Sequence, residues 1–365
     1  MSIEKVMVKA VQVGALSLCS ALVLADCNFR EGGTVQTSMP LLGVNLTVGR
    51  DIPLGSEVYR QTFQVPALTG VVCSPGVYKS TFMRGLPVTP LPLSSWSGAP
   101  YAGKVYETGV PGIGAVLWVA GIALPFNQTR DNCGGGIEEC YTPYQDGMAF
   151  DLSFIKIGDV SPGTVLGSSL PTMDQKWLST NTLDIQYISM SGAINIVSRT
   201  CDTPNVQVEL GTRQLREFTG VGSFTPWKEF AITLLNCPAF HGFYQGTGPR
   251  WLSDGSVENL DSRTNNMLRY RLDPTQAPID AINGVIRLNA SGPDENPAAS
   301  GVGIQIADEH SDAVPLSTLR DSAIVTAAIE GGSYSIPLLA RYLQTEDQVT
   351  AGPANGSVVF TINYQ

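Results

Sequence analysis

The chain has 365 residues, and its 32 acidic residues outnumber its 22 lysines and arginines, which gives a net charge of −10 at pH 7. A nucleic-acid partner needs the opposite sign of charge, and an anionic membrane surface repels a protein of this sign, so both are set aside. The length exceeds what one hydrophobic core usually serves, which favours two domains.

The first residues predict a signal peptide. Lys5 and Lys9 form a short basic region, residues 10–24 are largely apolar, and Ala25 ends a small-residue cleavage site. We therefore expect residues 1–25 to be removed, Asp26 to begin the mature chain, and the protein to be exported. No other run approaches the roughly 18 apolar residues that cross a bilayer, so we expect no membrane insertion.

The cysteines agree with export. Seven are encoded, and Cys19 lies within the predicted signal peptide. The other six are an even number in an oxidising compartment, which predicts disulfides, although six cysteines allow fifteen pairings. The simplest choice keeps each bridge within one region and pairs sequence neighbours: Cys27–Cys73, Cys133–Cys140 and Cys201–Cys237. A zinc site is the alternative, but the chain has no CxxC pair and only two histidines, so we expect no metal and no other cofactor.

Short segments rich in Val, Ile, Thr, Tyr and Phe recur between turn residues, while no long segment shows a helical period. This pattern is typical of an all-β fold built from sandwiches. A short linker at residues 198–200 predicts two domains, residues 26–197 and 198–365, and residues 317–328 are a candidate short helix. The strands that we predict before the last one cover residues 115–123, 148–157, 183–190, 193–198, 206–210, 230–236, 266–272, 284–289 and 301–307.

The chain ends with a strongly alternating segment, NGSVVFTINYQ, at residues 355–365. Alternation with a period of two predicts a half-buried strand, and the preceding Gly-Pro and Asn-Gly steps predict a turn. Three motifs stand in order before and within it: Asn-Cys-Pro at 236–238, SGVGIQI at 300–306, and GPANG followed by FTINY at 352–364. Residues 200–365 thereby resemble the pilin domain of chaperone–usher fimbriae.

The resemblance implies two immunoglobulin-like, Greek-key β-sandwich domains, of which the C-terminal one is an incomplete pilin sandwich that lacks its last strand. A strand from another protein fills the resulting groove, which is a case of β-augmentation. The partners so implied are a periplasmic chaperone, an outer-membrane usher and the next pilus subunit, which donates a strand. The alternative is an ordinary central strand in a complete sandwich. The residues expected beside the groove, with a terminal carboxylate that docks on the chaperone, are Val358, Phe360, Ile362, Tyr364 and Gln365.

The first half resembles the lectin-like domain of two-domain fimbrial tip adhesins. Shaft pilins carry a donor arm before their first cysteine, whereas only Asp26 precedes Cys27 in the expected mature chain. The resemblance therefore implies a position at the fimbrial tip, at the cell surface. The segment after Cys73 has Lys79 and Arg84 but no acid, so the mannose pocket of some such adhesins is not carried over.

Sugar binding needs amides and carboxylates for hydroxyl groups and an aromatic face for the ring. Two segments of the first half have this mixture, and each is alternatively a surface loop without a ligand. An acidic loop that binds calcium is an alternative, although the chain has no EF-hand spacing. The candidate ligand-binding residues are Asp131, Asn132, Tyr141, Tyr144, Gln145 and Asp146 in the first segment, and Asp174, Gln175, Trp177 and Asn181 in the second.

We find no nucleophile elbow, no HExxH and no Walker A motif, so we predict that the protein is not an enzyme. The sequence predicts a fimbrial tip adhesin whose first domain binds a surface receptor, most plausibly a glycan. The alternative is a non-adhesive tip or adaptor subunit whose first domain binds another protein.

Overall fold

The computed structural model describes residues 26–64, 69–132, 138–143, 149–292, 296–327 and 329–365. The predicted signal peptide lies outside these residues. The regular secondary structure of the described part is almost entirely β-strand, which confirms the predicted all-β class. The strands of the first half are β1 (Cys27–Glu31), β2 (Val35–Pro40), β3 (Asn45–Thr47), β4 (Glu57–Phe63), β5 (Gly70–Cys73), β6 (Lys79–Gly85), β7 (Tyr106–Glu107), β8 (Ile113–Val119), β9 (Ile122–Ala123), β10 (Phe126–Asp131), β11 (Cys140–Pro143), β12 (Phe150–Lys156), β13 (Gly163–Leu166), β14 (Met173–Leu178), β15 (Thr182–Ser191) and β16 (Ala193–Val197).

The second half continues with strands of 2 to 13 residues. They are β17 (Lys228–Cys237), β18 (Arg250–Trp251), β19 (Val257–Glu258), β20 (Leu268–Pro274), β21 (Val285–Ile286), β22 (Val302–Asp308), β23 (Arg320–Asp321), β24 (Gly332–Gln344) and β25 (Val358–Tyr364). The predicted last strand is therefore confirmed.

The first half packs two main sheets around one core. One sheet has the order β10-β6-β14-β15-β2, and the other has the order β19-β18-β4-β12-β8-β7 with β9 beside β8. Inward side chains of both sheets, such as Phe82 and Trp177 on one and Phe63 and Phe150 on the other, belong to one hydrophobic cluster. Alternating burial along these strands is what a sandwich requires.

The second half has its own core between a four-stranded sheet, β17-β24-β22-β21, and a three-stranded sheet, β23-β20-β25. The predicted bridges Cys27–Cys73 and Cys201–Cys237 are both present, one in each half. Cys140 is also disulfide-bonded, but Cys133 lies outside the described residues, so that pairing stays a prediction.

Two local predictions were wrong. The candidate helix at 317–328 is, over its described residues 317–327, irregular chain around the short strand β23, because Ser317 and Ala323 have positive φ angles of 54° and 57°, which a right-handed helix does not allow. Residues 206–210 alternate as predicted but pair with no strand in the described part. In that part, no helix is long and apolar enough to cross a membrane.

A segment of the second half crosses over to the first. The fully buried side chain of Tyr244 belongs to the first core, and its ring lies 5.9 Å from that of Tyr59. Further along, β18 pairs in parallel with β4 and thereby widens a sheet of the first half. A boundary between residues 197 and 198 stays a prediction, but it does not separate the contacts of the two halves.

Candidate functional site

A long groove of about 870 Å³ runs along the second half beside β25. Val358 and Phe360 of β25 form one wall, and the irregular segment that contains Val206 and Val208 forms the other. The floor is apolar because the inward residues of both sheets reach it. These floor residues include Phe230, Ile232, Leu272, Ile286, Val302, Ile304, Ile306, Ala340 and Tyr342.

The groove exists because β25 pairs along one edge only. Its pairing partner is β20, and β25 is the outer strand of the three-stranded sheet. Met267 and Gln365 exchange both backbone hydrogen bonds, at 2.6 and 2.9 Å. In an antiparallel ladder such pairs alternate, so Asn363 and Thr361 also bond to β20. The N–H and C=O groups of Val358, Phe360 and Ile362 therefore point the other way, along the free edge.

The side chains of β25 alternate in the same register. Ile362 and Tyr364 are buried, Val358 and Phe360 are half-buried, and Val359 is 57% exposed. The half-buried pair lies where the groove is open, because no neighbouring strand covers it. An edge strand beside an apolar groove is a surface that another strand can join.

Of the five residues that the sequence predicted beside the groove, Val358 and Phe360 line it. The buried Ile362 and Tyr364 do not line it, and Gln365 pairs with Met267 instead. The floor residues were not predicted. The alternating Val206, Val208 and Leu210 were predicted as a strand, yet they line the opposite wall without a ladder of their own. Their alternation was the available signal. It indicates a side-chain register, and it does not show whether a neighbouring strand is present.

The first candidate receptor segment is only partly described. Tyr144, Gln145 and Asp146 lie outside the described residues. Asp131 is exposed at the end of β10 and lies 3.8 Å from the Lys79 ammonium. The structure therefore does not describe how these four residues lie relative to one another.

The two other members of that segment hold neighbouring chain in place. Asn132 is buried and donates from Nδ2 to the Val77 carbonyl at 2.6 Å. Tyr141 lies on β11 with the Arg30 guanidinium 5.1 Å from its ring centre, and a hydrogen bond with Glu31 is the main cause of its raised pKa.

The second candidate segment is strand β14 and the turn after it. Gln175 is fully buried and Trp177 is 3% exposed, so both face the first core. Trp177 packs edge-on against Phe82 with 4.7 Å between the ring centres. A receptor at the surface does not reach the Trp177 ring in this structure. Asp174, by contrast, points to the other face of the sheet, where its carboxylate is 3.8 Å from Lys176.

Asn181 holds the backbone of Cys27, the first residue of β1. Its Oδ1 accepts from the Cys27 N–H at 3.0 Å, and its Nδ2 donates to the Cys27 carbonyl at 2.7 Å. The structure thus separates the candidates. Asp131 and Asp174 pair with opposite ends of β6, at Lys79 and Gly85, about 20 Å apart at the usual rise per residue. Ligand binding by these candidates stays a prediction.

Within the described residues, no group of three His, Cys, Asp or Glu side chains is placed to hold a metal ion. The charged cluster that sequence reasoning missed lies on the outer face of the larger sheet. There Glu57 binds Arg60 at 3.0 Å and accepts from the Gly246 N–H at 2.9 Å. Arg60 in turn donates to the Gly246 carbonyl at 2.6 Å. These contacts attach the crossing segment to the first half.

Comparison with known proteins shows a similarity to fimbrial proteins. A family model described as fimbrial protein matches residues 188–365. A type-1 fimbrial protein subunit of Serratia marcescens is 30% identical over 169 residues, which are 46% of this chain and 78% of that protein. The chain belongs to the fimbrial protein family. Family membership indicates a structural or adhesive protein of surface fimbriae rather than an enzyme.

The similarity extends over both halves for one relative. A fimbria adhesin protein of Klebsiella pneumoniae is 24% identical over 359 residues, which are 96% of this chain and 98% of that protein. Among solved structures, the tip adhesin CupB6 of Pseudomonas aeruginosa is 15% identical, with 93% of this chain and 94% of that chain covered and a TM-score of 0.36. This fimbrial protein therefore has relatives that match its second half and a relative that matches its whole length.

Proposed function

We propose that this protein is a fimbrial tip adhesin. Its second half joins the fibre by accepting a strand from the neighbouring subunit, and its first half binds a surface receptor. The observation that carries the first part is the groove of about 870 Å³ beside the free edge of β25. Adhesion by the first half is supported by the similarity to a fimbria adhesin over 96% of the chain.

The groove determines what an incoming strand must look like. Its backbone pairs with the outward N–H and C=O groups of Val358, Phe360 and Ile362, and every second side chain points down to the apolar floor. Each large apolar side chain that becomes buried there contributes about 1.5–3 kcal/mol before the cost of ordering the strand. Three or four such side chains give tight binding without any covalent bond.

A strand-binding experiment tests this assignment. The full chain, with its disulfides intact, is refolded with synthetic peptides in which valine and threonine alternate. Saturable binding is expected, and Phe360→Asp should abolish it because the substitution places a carboxylate in the groove. Val359→Asp is the matched control, since Val359 points to solvent on the same strand. Equal loss in both variants, or no binding to any peptide, contradicts strand acceptance.

The free edge of β25 is also the reason for proposing a chaperone and an usher as partners. Before assembly, an exported chain with an unpaired strand beside an apolar groove is prone to aggregate, so a periplasmic chaperone that covers the groove is required. An outer-membrane usher then exchanges the chaperone for the neighbouring subunit. The tip position is proposed because the full-length relative is named an adhesin.

The proposed receptor is a glycan. Adhesion is tested with the full chain whose groove is filled by a peptide, because Tyr244 of the second half completes the first core. A glycan panel should show selective binding that excess soluble ligand competes away. No binding to any glycan, with selective binding to a protein receptor or another fimbrial subunit, supports the adaptor alternative instead.

A further inference from the structure

The first half reaches the free edge of β25 at one end of the groove. The Asp51 N–H donates to the Tyr364 carbonyl at 3.1 Å, and the Asp51 Oδ2 accepts from the Tyr364 N–H at 2.8 Å. Arg50 adds a longer bond from Nη2 to the Ile362 carbonyl at 3.4 Å. The outward backbone groups of Tyr364 are thus already paired, while those of Phe360 lie farther along the open part of the groove.

The chain around Asp51 is built for this close approach. At Gly49, a Cβ atom would lie 2.2 Å from the Tyr364 carbonyl oxygen, so any side chain there would push the loop away. Below the loop, the buried Lys156 ammonium donates to the carbonyls of Gly49, at 3.2 Å, and of Arg50. A buried charge needs such partners, and here they fix the position of the loop.

We infer that Gly49, Arg50 and Asp51 form an end wall of the groove and set the register of the strand that it accepts. This inference rests on the proposed strand acceptance. An incoming strand can pair with the outward groups of Val358 and Phe360 and with the Ile362 N–H. It must end or turn away there, because Arg50 donates to the Ile362 carbonyl and Asp51 occupies the edge at Tyr364. The adhesive half thereby takes part in selecting the fibre partner.

A peptide length series tests the wall. Alternating valine–threonine peptides of about 6 to 12 residues are titrated against the full chain and against the double variant Gly49→Val with Asp51→Ala, which displaces the loop and removes the carboxylate. With the wild-type chain, affinity should stop rising once the peptide spans Val358–Ile362, whereas with the double variant it should keep rising for about two more residues. Asp321→Ala is the control, because it removes a carboxylate at the opposite edge of the same sheet. Identical length profiles for all three chains overturn the inference.

A second measurement keeps the wall testable when no peptide binds. Hydrogen exchange of the Tyr364 amide in the unfilled full chain should be slow and should rise about tenfold in Asp51→Ala, because a bond to a charged acceptor is lost. The Asn363 amide, bonded to β20, should not change. Peptide binding that fails with this exchange result intact contradicts strand acceptance alone, and an unchanged Tyr364 amide contradicts the wall alone.

Discussion

The two halves are both sandwiches, yet only the first has a closed core around its aromatic residues. Phe63 and Phe150 are fully buried and stack with ring centres 5.0 Å apart. Phe360, on the last strand of the second half, is half-buried and faces the groove. The second half therefore lacks packing at one place, beside β25, and not throughout its core.

The largest expected difference between the two cores is in the cost of truncating one phenylalanine in each. Phe150→Ala should lower the free energy of unfolding by about 3–5 kcal/mol, because it leaves a cavity in a closed core. Phe360→Ala should cost about 1–2 kcal/mol in the unfilled chain, since less of its surface leaves water on folding. Urea unfolding followed by tryptophan fluorescence measures both.

The same pair also shows what filling the groove does. With a bound strand peptide, the cost of Phe360→Ala should rise toward that of Phe150→Ala, whose own cost should stay unchanged. Equal costs for the two variants in the unfilled chain would mean that the second core is already complete.

The crossing segment should make the first half depend on the second. Tyr244→Ala should lower the free energy of unfolding by about 3–4 kcal/mol, because it empties a fully buried site in the first core. Tyr244→Phe keeps the ring and loses the hydrogen bonds of the hydroxyl, which include the 2.7 Å bond to the Leu260 carbonyl and one with Arg263, so it should cost about 1 kcal/mol. Thermal unfolding distinguishes the two, and equal small effects would show that the first core does not need this residue.

A smaller effect on stability is expected from a change of pH, through Asp151 near the contact between the two halves. Burial of the Asp151 carboxyl raises its pKa, and the Thr62 hydroxyl opposes this only in part. The folded protein then binds this proton more tightly than the unfolded chain, so stability falls as the pH rises from about 4 through the raised value. Asp151→Asn has no such proton to lose.

The free energy of unfolding of Asp151→Asn should therefore fall less than that of the wild type over this pH range. Urea unfolding at about pH 4 and about pH 7 gives both slopes. Parallel slopes for the two proteins would mean that Asp151 keeps its ordinary pKa in the folded state.

The sequence predicted what depends on local pattern. Alternation at 358–364 predicts β25, and the cysteine order predicts the bridges Cys27–Cys73 and Cys201–Cys237, both of which the structure contains. The strand β14 has the same alternation, with Gln175 and Trp177 on one face. Polar side chains at inward positions conceal the apolar face of this strand, so the pattern predicted a ligand-binding segment or a surface loop there instead of a buried strand face.

What the sequence could not predict are contacts between distant parts of the chain. The sequence around Tyr244 does not indicate that its ring enters the core of the other half, because the residues that surround the ring come from distant parts of the chain. The approach of Asp51 to Tyr364 joins residues 313 positions apart. A lone glycine such as Gly49 fits a turn equally well, and only the fold shows that it permits this approach.

The most direct test of the open edge is residue-by-residue hydrogen exchange along β25 in the unfilled full chain. The account predicts an alternation, with slow exchange at Val359, Thr361 and Asn363, which bond to β20, and fast exchange at Phe360 and Ile362, which face the groove. Addition of a strand peptide should slow exchange at Phe360 and Ile362 only. Slow exchange at all five amides before any peptide is added would show that β25 already has a second neighbour, and the proposal of an incomplete sandwich would be wrong.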